Sequence, residues 1–408
     1  MRVIQLREAG HAVVSLTMQE ARHLQQTGAM TCSPGSVPGY FEVQVKNVCG
    51  IISAGSIVVE IAPKLAVGEL MWLVTYASTG VRLDEDTIKA APTRLADALA
   101  EVFLLMVEEP IRQGVLRGYW QHSGTSSVLR GRLQVSEQLA HHYDRLFPFE
   151  VSYSEFGMDI AENQILRAAS LKLLRSVSDP SVAHNEELKH RLRRVLRYLA
   201  DVRDLPEGAA RPHWQRSAQN ERFWCGIEFA ELVLDGSGLS AVNGTRQSVG
   251  FIITLWKVFE AAVARALQES GSAWTVSAQK QFRLIQNRSD PLIRPDLVVE
   301  SKGRVVAVAD TKYKAPQFIS SDLFQLFTYA QYLHLRRSHV IYAAPLKPAQ
   351  ELRIGQTGVS VIAHGLDLSR PSHTFLEQMQ EIADVVTQDA LRIEAPVQAP
   401  VTVTTTSV

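Results

Sequence analysis

Two carboxylates and a lysine flank a short hairpin-like pattern between residues 294 and 312. Asp296 precedes one apolar run, and Asp310 and Lys312 close a second run that follows a Gly-containing turn. Such runs predict paired buried strands, which would fold Asp296 back toward Asp310. Because side chains alternate along a strand, Asp310 and Lys312 point to the same face. These groups suit Mg²⁺-dependent phosphodiester hydrolysis: carboxylates hold the cation, and the lysine acts on the attacking water or on the phosphate charge.

A lone Asp-x-Lys also occurs by chance at solvated strand ends, so the flanking elements decide its interpretation. Upstream, the pattern from Gly250 to about Glu269 predicts an amphipathic helix that offers Glu260 as a third acid. Downstream, a second predicted helix carries Gln325 and Tyr329 at i, i+4 spacing, hence on one face. The order is therefore an acidic helix, an Asp hairpin, an Asp-x-Lys strand and a Gln-x-x-x-Tyr helix.

This order resembles the PD-(D/E)xK nuclease superfamily, and its last element is similar to the exonuclease-type branch. The resemblance implies a mixed sheet flanked by helices. It implies a catalytic set consisting of Asp296, Asp310, Lys312, Glu260, Gln325 and Tyr329. The three acids are the expected Mg²⁺ ligands, with Glu260 bound directly or through water. The lysine is expected to manage the water, and the Gln and Tyr to support the site.

Further segments in collinear order resemble the McrC family between residues 40 and 345. They are Val48–Ile52, Ile57–Lys64, Leu129–Leu133, Asp159–Leu166 and the Leu-Trp-x-x-Phe-Glu segment 255–260. The resemblance implies the endonuclease subunit of a McrBC 5-methylcytosine (modification-dependent) restriction system. It also implies a McrB-like AAA+ GTPase hexamer as partner, which binds and translocates double-stranded DNA containing modified cytosine. This subunit would stimulate GTP hydrolysis by the partner and would cut the DNA.

Arg130 and Arg132 flank Gly131 in one of these segments. They are consistent with a glycine-stabilised turn that carries two exposed arginines. The family resemblance favours a surface that faces the partner ring, where an arginine can act on phosphate chemistry in trans.

A basic cluster on one predicted helix also has two interpretations. It contains Lys189, Arg191, Arg193, Arg194 and Arg197, with Glu186 and Glu187 before them. Acids near the helix start and pairs at i, i+4 spacing are typical of a solvated face. The alternative is a surface that tracks DNA phosphates without reading sequence.

Composition limits the class of protein. The 408 residues carry a formal net charge of +0, so DNA affinity has to come from local basic surfaces. Three widely spaced cysteines without a C-x-x-C predict neither a disulfide framework nor a zinc site, and they fit a reducing cytoplasm. No apolar run approaches the roughly 18 residues of a membrane span, and the N-terminus lacks an apolar signal region.

The predicted fold class is α/β. Residues 1–125 are expected to form a β-rich N-terminal domain with a long helix that docks the partner, and 126–245 a mainly helical middle region. Residues 246–390 are expected to form the nuclease domain, and 391–408, rich in Pro, Val and Thr, a disordered tail. The sequence has no Walker-type phosphate loop, so nucleotide is expected on the partner.

Two rival functions are open at this point. One is a stand-alone exonuclease-like repair nuclease, which a linked helicase would favour. The other is a catalytically silent adaptor that uses the nuclease fold to plug an AAA+ ring. Intact Asp296, Asp310 and Lys312 argue against the adaptor, because a silent site could lose them.

Overall fold

The computed structural model describes residues 2–54, 56–92, 94–145, 147–178, 185–205, 210–235, 251–271, 274–284 and 292–394. The chain divides into two compact units. The first comprises Met1–Met71 and Val81–Thr254, and the second Trp72–Gly80 and Leu255–Val408. Within the described ranges, no helix has both the length and the apolar character to cross a membrane.

The first unit contains most of the small strands. Its elements in chain order are β1 (Arg2–Arg7), β2 (His11–Ser15), α1 (Met18–Gln26), β3 (Met30–Pro34), β4 (Tyr40–Val45), β5 (Val48–Ala54), β6 (Ile57–Ala62), α2 (Val67–Thr79, which continues into the second unit), α3 (Glu85–Ala90), α4 (Leu95–Arg112), β7 (Gly118–Ser126), β8 (Arg132–Leu133), α5 (Val135–His141), β9 (Phe149–Gly157), α6 (Ala161–Val177), α7 (Glu186–Tyr198), a 3-10 turn (Glu221–Phe223), α8 (Trp224–Asp235) and β10 (Phe251–Thr254).

The described residues of this unit form sheets with strand orders β1-β6-β5-β10, β2-β4-β3 and β7-β9-β8. Strand β4 alternates exposed and buried residues, as expected of a strand with one face in a core, whereas β6 is buried almost throughout. One expectation about this unit is wrong. The helix expected from Gly250 begins only at Leu255, because Phe251–Thr254 pairs with β5 as a strand.

The middle region is also less helical at its start than expected. Residues 149–157 form β9, which pairs with β7 along its whole length. The physical reason is visible in the sequence, since Phe149, Val151 and Tyr153 alternate with polar residues at the period of a strand. Helices α4, α6, α7 and α8 then pack against one another.

The second unit is built around a six-stranded mixed sheet. Its elements are α9 (Leu255–Ser270), β11 (Thr275–Ala278), β12 (Phe282–Arg283), β13 (Leu292–Ile293), β14 (Leu297–Ser301), β15 (Arg304–Lys312), α10 (Ser320–Tyr332), β16 (Arg337–Tyr342), β17 (Gln350–Arg353), β18 (Ser360–Gly365) and α11 (His373–Glu394).

The sheet has the order β11-β14-β15-β16-β18-β17, and β12 pairs with β13 separately. Strands β15, β16 and β18 are parallel to one another, while β11, β14 and β17 join antiparallel. Leu326 of α10 packs on the sheet with Val340 and Val361. The expected mixed α/β class is confirmed. The expected tail starts inside α11, which reaches Glu394, and residues 395–408 lie outside the described residues.

Candidate active site

The hairpin predicted from the sequence is confirmed, and it brings Asp296 to the strand that carries Asp310. Strands β14 and β15 pair antiparallel, with Leu297 opposite Ala309. Oδ2 of Asp296 accepts hydrogen bonds from the backbone N–H of Thr311 at 2.8 Å and from its hydroxyl at 3.0 Å. The first carboxylate is therefore fixed to the backbone between Asp310 and Lys312.

Asp310 is buried, with 1% of its surface exposed, and its Oδ2 forms an ion pair with the Lys312 ammonium. Burial and, next, the neighbouring Asp296 carboxylate raise the pKa of Asp310 to about 7. Burial alone would lower the pKa of Lys312, but the Asp310, Asp322 and Asp296 carboxylates together outweigh it, and the Lys312 pKa is raised. The lysine is thus a cation held against an acid that binds a proton readily.

A second carboxylate secures this lysine. Oδ1 of Asp322, near the start of α10, lies 3.8 Å from Nζ of Lys312, and Oδ2 lies 2.8 Å from Nζ of Lys314. The Asp322 carboxylate is mostly buried. It therefore limits the positions that the Lys312 ammonium can take.

Glu260 reaches the site through Gln279 rather than facing solvent. Nε2 of Gln279 donates to Oε1 of Glu260 at 2.6 Å and to Oδ1 of Asp296 at 3.0 Å. Burial raises the pKa of Glu260; the Gln279 hydrogen bond opposes this shift and the Asp296 charge adds to it. Gln279 has a φ of 54°, a left-handed conformation that is uncommon for a non-glycine residue. Its N–H also donates to the Asp296 carbonyl at 2.8 Å.

Gln325 and Tyr329 share one face of α10, as predicted. Nε2 of Gln325 donates to the Tyr329 hydroxyl at 2.5 Å, and that hydroxyl donates to the Arg294 carbonyl at 3.2 Å. Burial raises the pKa of Tyr329, so it remains a hydrogen-bond donor at neutral pH. The pair thus holds the segment that leads into Asp296.

The donor set fits a hard cation in part. Oδ2 of Asp310 is buried and receives no hydrogen bond from the described residues, the Lys312 ion pair aside, so an acceptor is available in the site. Carboxylate oxygens are the ligands that Mg²⁺ prefers. Among the residues that can be described, however, no group of three His, Cys, Asp or Glu side chains is arranged around one metal position. Glu260 as a ligand therefore stays a prediction, and the Gln279 amide lies between it and Asp296.

Sequence reasoning missed Gln279, Thr311 and Asp322. Gln279 lies before β12, in a stretch with no motif, and only its contacts reveal it. Thr311 lies between Asp310 and Lys312. It contacts Asp296 partly through its backbone N–H, a group that every residue except proline has, so its residue type did not indicate this role. Asp322 lies on the helix that carries Gln325 and Tyr329, but it is outside their i, i+4 pattern, and only its contacts with Lys312 and Lys314 reveal its role.

Arg130 and Arg132 lie in the first unit and are exposed. Gly131 between them has a φ of 67°, and a Cβ there would lie 2.4 Å from the Ser152 carbonyl oxygen. The expected glycine turn with two exposed arginines is therefore present. A contact with a partner ring stays a prediction.

The sequence and the fold were compared with known proteins. Residues 43–343 match the family described as McrBC 5-methylcytosine restriction system component. A solved chain in the refined half-complex from a tetradecameric assembly of Thermococcus gammatolerans McrB AAA+ hexamers with bound McrC is 15% identical, with a TM-score of 0.59, over 94% of this chain and 100% of that chain.

A chain in the cryo-EM structure of the Thermococcus gammatolerans McrBC complex is 16% identical, with a TM-score of 0.38, over 66% of this chain and 88% of that chain. No curated protein matches the sequence. The first of these two likenesses shows that the fold is shared.

Proposed function

The chain belongs to the family of McrBC 5-methylcytosine restriction system components, and on that premise we propose that it is the Mg²⁺-dependent DNA endonuclease subunit of such a system. One observation carries the proposal: Asp296, Asp310 and Lys312 converge at the end of one hairpin, with Asp296 bonded to the backbone between the other two. A buried acid beside a second acid is costly unless a partner compensates it, so the burial of Asp310 near Asp296 favours a chemical role.

Each residue has a task in this proposal, on a fold of the PD-(D/E)xK nuclease type. Asp296 and Asp310 would hold Mg²⁺, which when bound supplies Lewis-acid activation of water and of a phosphate oxygen. Lys312 would orient the attacking water or neutralise charge on the phosphate. Glu260 would complete the acidic shell directly or through water.

Two supports keep these groups in place. Gln279 fixes the separation between Glu260 and Asp296, because one amide nitrogen serves both carboxylates. Gln325 orients the Tyr329 hydroxyl, which bonds the segment before Asp296. Such supporting contacts typically matter by roughly 10–100-fold in metal affinity or activity.

We propose a McrB-like AAA+ GTPase hexamer as partner and double-stranded DNA with modified cytosine as substrate. The structural neighbour supports this because it comes from an assembly of McrB AAA+ hexamers with bound McrC. On this chain, the Arg130-Gly131-Arg132 turn is our candidate for contact with the ring. It follows Val128 and Leu129, whose exposure of 52% and 55% leaves apolar surface that a partner would cover.

We place this activity in a reducing cytoplasm. The support is that Cys32, Cys49 and Cys225 form no disulfide with one another. Disulfides are rare in that compartment.

The test is a plasmid cleavage assay at physiological salt with methylated plasmid, partner, hydrolysable GTP and Mg²⁺, leaving out one component at a time. Cleavage should need all of them, because a chain of zero net charge holds DNA only weakly by itself and depends on the partner to deliver it. Efficient cleavage by the chain and Mg²⁺ alone would instead indicate a stand-alone nuclease.

A further inference from the structure

The basic residues of α7 divide into two sets with different surroundings. The guanidinium of Arg191 bonds Glu108 at 2.8 Å and Glu101 at 2.7 Å, and Arg194 bonds Glu108 at 2.8 Å. Lys189 is buried and bonds Glu186 at 2.8 Å. These three cations are thus paired with acids within the fold, and Arg191 and Arg194 pair with α4 rather than along α7 as a solvated face predicts.

The other set lines a concave surface between α6 and α7. A shallow, open cavity of about 510 Å³ is lined by Arg167, His190, Arg193, Leu196, Arg197 and Ala200. Arg167 is anchored, since Nε donates to Oδ1 of Asp204 at 2.6 Å and NH1 to the Leu199 carbonyl at 3.0 Å. Its charge is therefore paired with an acid, and Arg193 and Arg197 are left as the candidate cations for a bound anion.

Arg193 and Arg197 differ from Arg191 and Arg194 in their surroundings. Both are exposed, and neither makes an ion pair or hydrogen bond with any residue in the described ranges. They stand four residues apart on one helix, a spacing at which like charges repel and destabilise the helix. An anion in the cavity would remove that repulsion. The protein's formal net charge of +0 shows that this positive surface is local rather than a general excess.

We propose that this cavity binds the phosphate backbone of double-stranded DNA, with Arg193 and Arg197 as the contacting cations. The inference rests on the proposed function, which makes duplex DNA the substrate and which does not assign this surface. Arginine forms paired, charge-assisted hydrogen bonds with phosphate. Of the remaining lining residues, Leu196 and Ala200 are apolar, and His190 adds an imidazole whose N–H can also donate to a phosphate oxygen. Binding here should hold and orient DNA without regard to its sequence.

The experiment measures binding of a short fluorescein-labelled duplex by fluorescence anisotropy, in EDTA, over a salt series. The test variant is Arg193→Gln/Arg197→Gln in the full chain. The matched control is Arg112→Gln/Arg145→Gln, which removes two exposed arginines that are each paired with a neighbouring acid. A third variant, Arg193→Lys/Arg197→Lys, keeps the charge, and thermal unfolding checks that all variants fold.

We expect the test variant to lose about tenfold or more in affinity, and the slope of log K against log salt to fall by about 2, one per phosphate contact. The control should bind like the wild type, and the lysine variant should keep most of the salt slope. Equal affinity of test and control variants would overturn the inference. So would unchanged duplex binding with loss of binding to the partner, because the cavity would then serve an acidic protein surface.

Cleavage is not scored in this assay. A wild-type chain that never cuts but whose duplex binding depends on Arg193 and Arg197 would refute the proposed function and support this inference.

Discussion

Thr311 fastens Asp296 to β15 through two hydrogen bonds on one carboxylate oxygen, from the backbone N–H at 2.8 Å and the hydroxyl at 3.0 Å. The other oxygen, Oδ1, accepts from Gln279 at 3.0 Å. The carboxylate plane is therefore fixed from two sides. Because both bonds from Thr311 come from the residue between Asp310 and Lys312, a shift of β15 relative to Asp296 would break them. The hairpin thus sets the spacing of the candidate site.

Gln279→Gly should lower DNA cleavage by roughly 10–100-fold in the presence of partner, GTP and Mg²⁺. The substitution removes the amide that joins Glu260 and Asp296, while glycine adopts the positive φ of this position without strain. The matched control is Lys302→Gly, at another positive-φ position, with a φ of 50°. Wild-type cleavage by Gln279→Gly would remove this residue from the site.

Asp310→Asn should raise the Tm of the metal-free protein at pH 8. The folded-state pKa of Asp310, about 7, lies above its ordinary value of 3.8, so protonation favours the fold. The stability contributed by this site is therefore present at low pH and is lost as pH rises through about 7. In thermal unfolding with EDTA, the Tm of the variant minus the Tm of the wild type should increase between pH 4 and pH 8.

With Mg²⁺ at pH 8, the wild type should have the higher Tm and Asp310→Asn the lower, because Mg²⁺ binds the carboxylate and not the amide. The exposed Asp144→Asn is the control and should leave Tm unchanged at each pH. An Asp310→Asn variant less stable than wild type in EDTA at pH 8 would contradict the account of burial and repulsion.

The buried histidines of β16 and β18 should make the protein sensitive to acid. Nδ1 of His339 lies 3.1 Å from Nε2 of His364, and burial lowers the pKa of His339 to about 4. Since the unfolded value is near 6.5, the stability from the neutral imidazole is complete above pH 6.5 and is lost as pH falls toward 4. The loss is on the order of 3 kcal/mol.

His339→Gln cannot take up this proton. The difference in unfolding free energy between wild type and His339→Gln, measured with denaturant at several pH values, should change between pH 6.5 and pH 4. A difference that does not depend on pH would show that His339 is not the titrating group.

Arg130→Ala should reduce stimulation of the partner's GTPase and leave partner binding in place, if the arginine reaches the nucleotide site of the ring. Steady-state GTP hydrolysis measures this, with the exposed Arg145→Ala as control. Gly131→Ala should also reduce stimulation, because a Cβ there would lie 2.4 Å from the Ser152 carbonyl oxygen and would displace the turn. Full stimulation by Arg130→Ala would remove the arginine from this role.

The sequence predicts the hairpin and the face shared by Gln325 and Tyr329, since both depend on local periodicity alone. It does not predict Gln279, because the clamp on Glu260 and Asp296 joins three separate elements. The strand Phe251–Thr254 was not predicted for a similar reason. A short apolar run before a helix fits either a strand or the start of the helix, and its pairing with β5 decides between them. The sequence also does not predict which arginines of α7 are paired, because the partner acids Glu101 and Glu108 lie on α4, far away in the sequence.

The measurement that tests the central claim most directly is plasmid cleavage by Asp310→Asn beside the wild type, with methylated plasmid, partner, GTP and Mg²⁺. The substitution removes one negative charge with almost no change in shape. We expect cleavage to be abolished while partner binding and GTPase stimulation remain at wild-type levels. Cleavage at the wild-type rate by Asp310→Asn would contradict the assignment of this hairpin as the nuclease site.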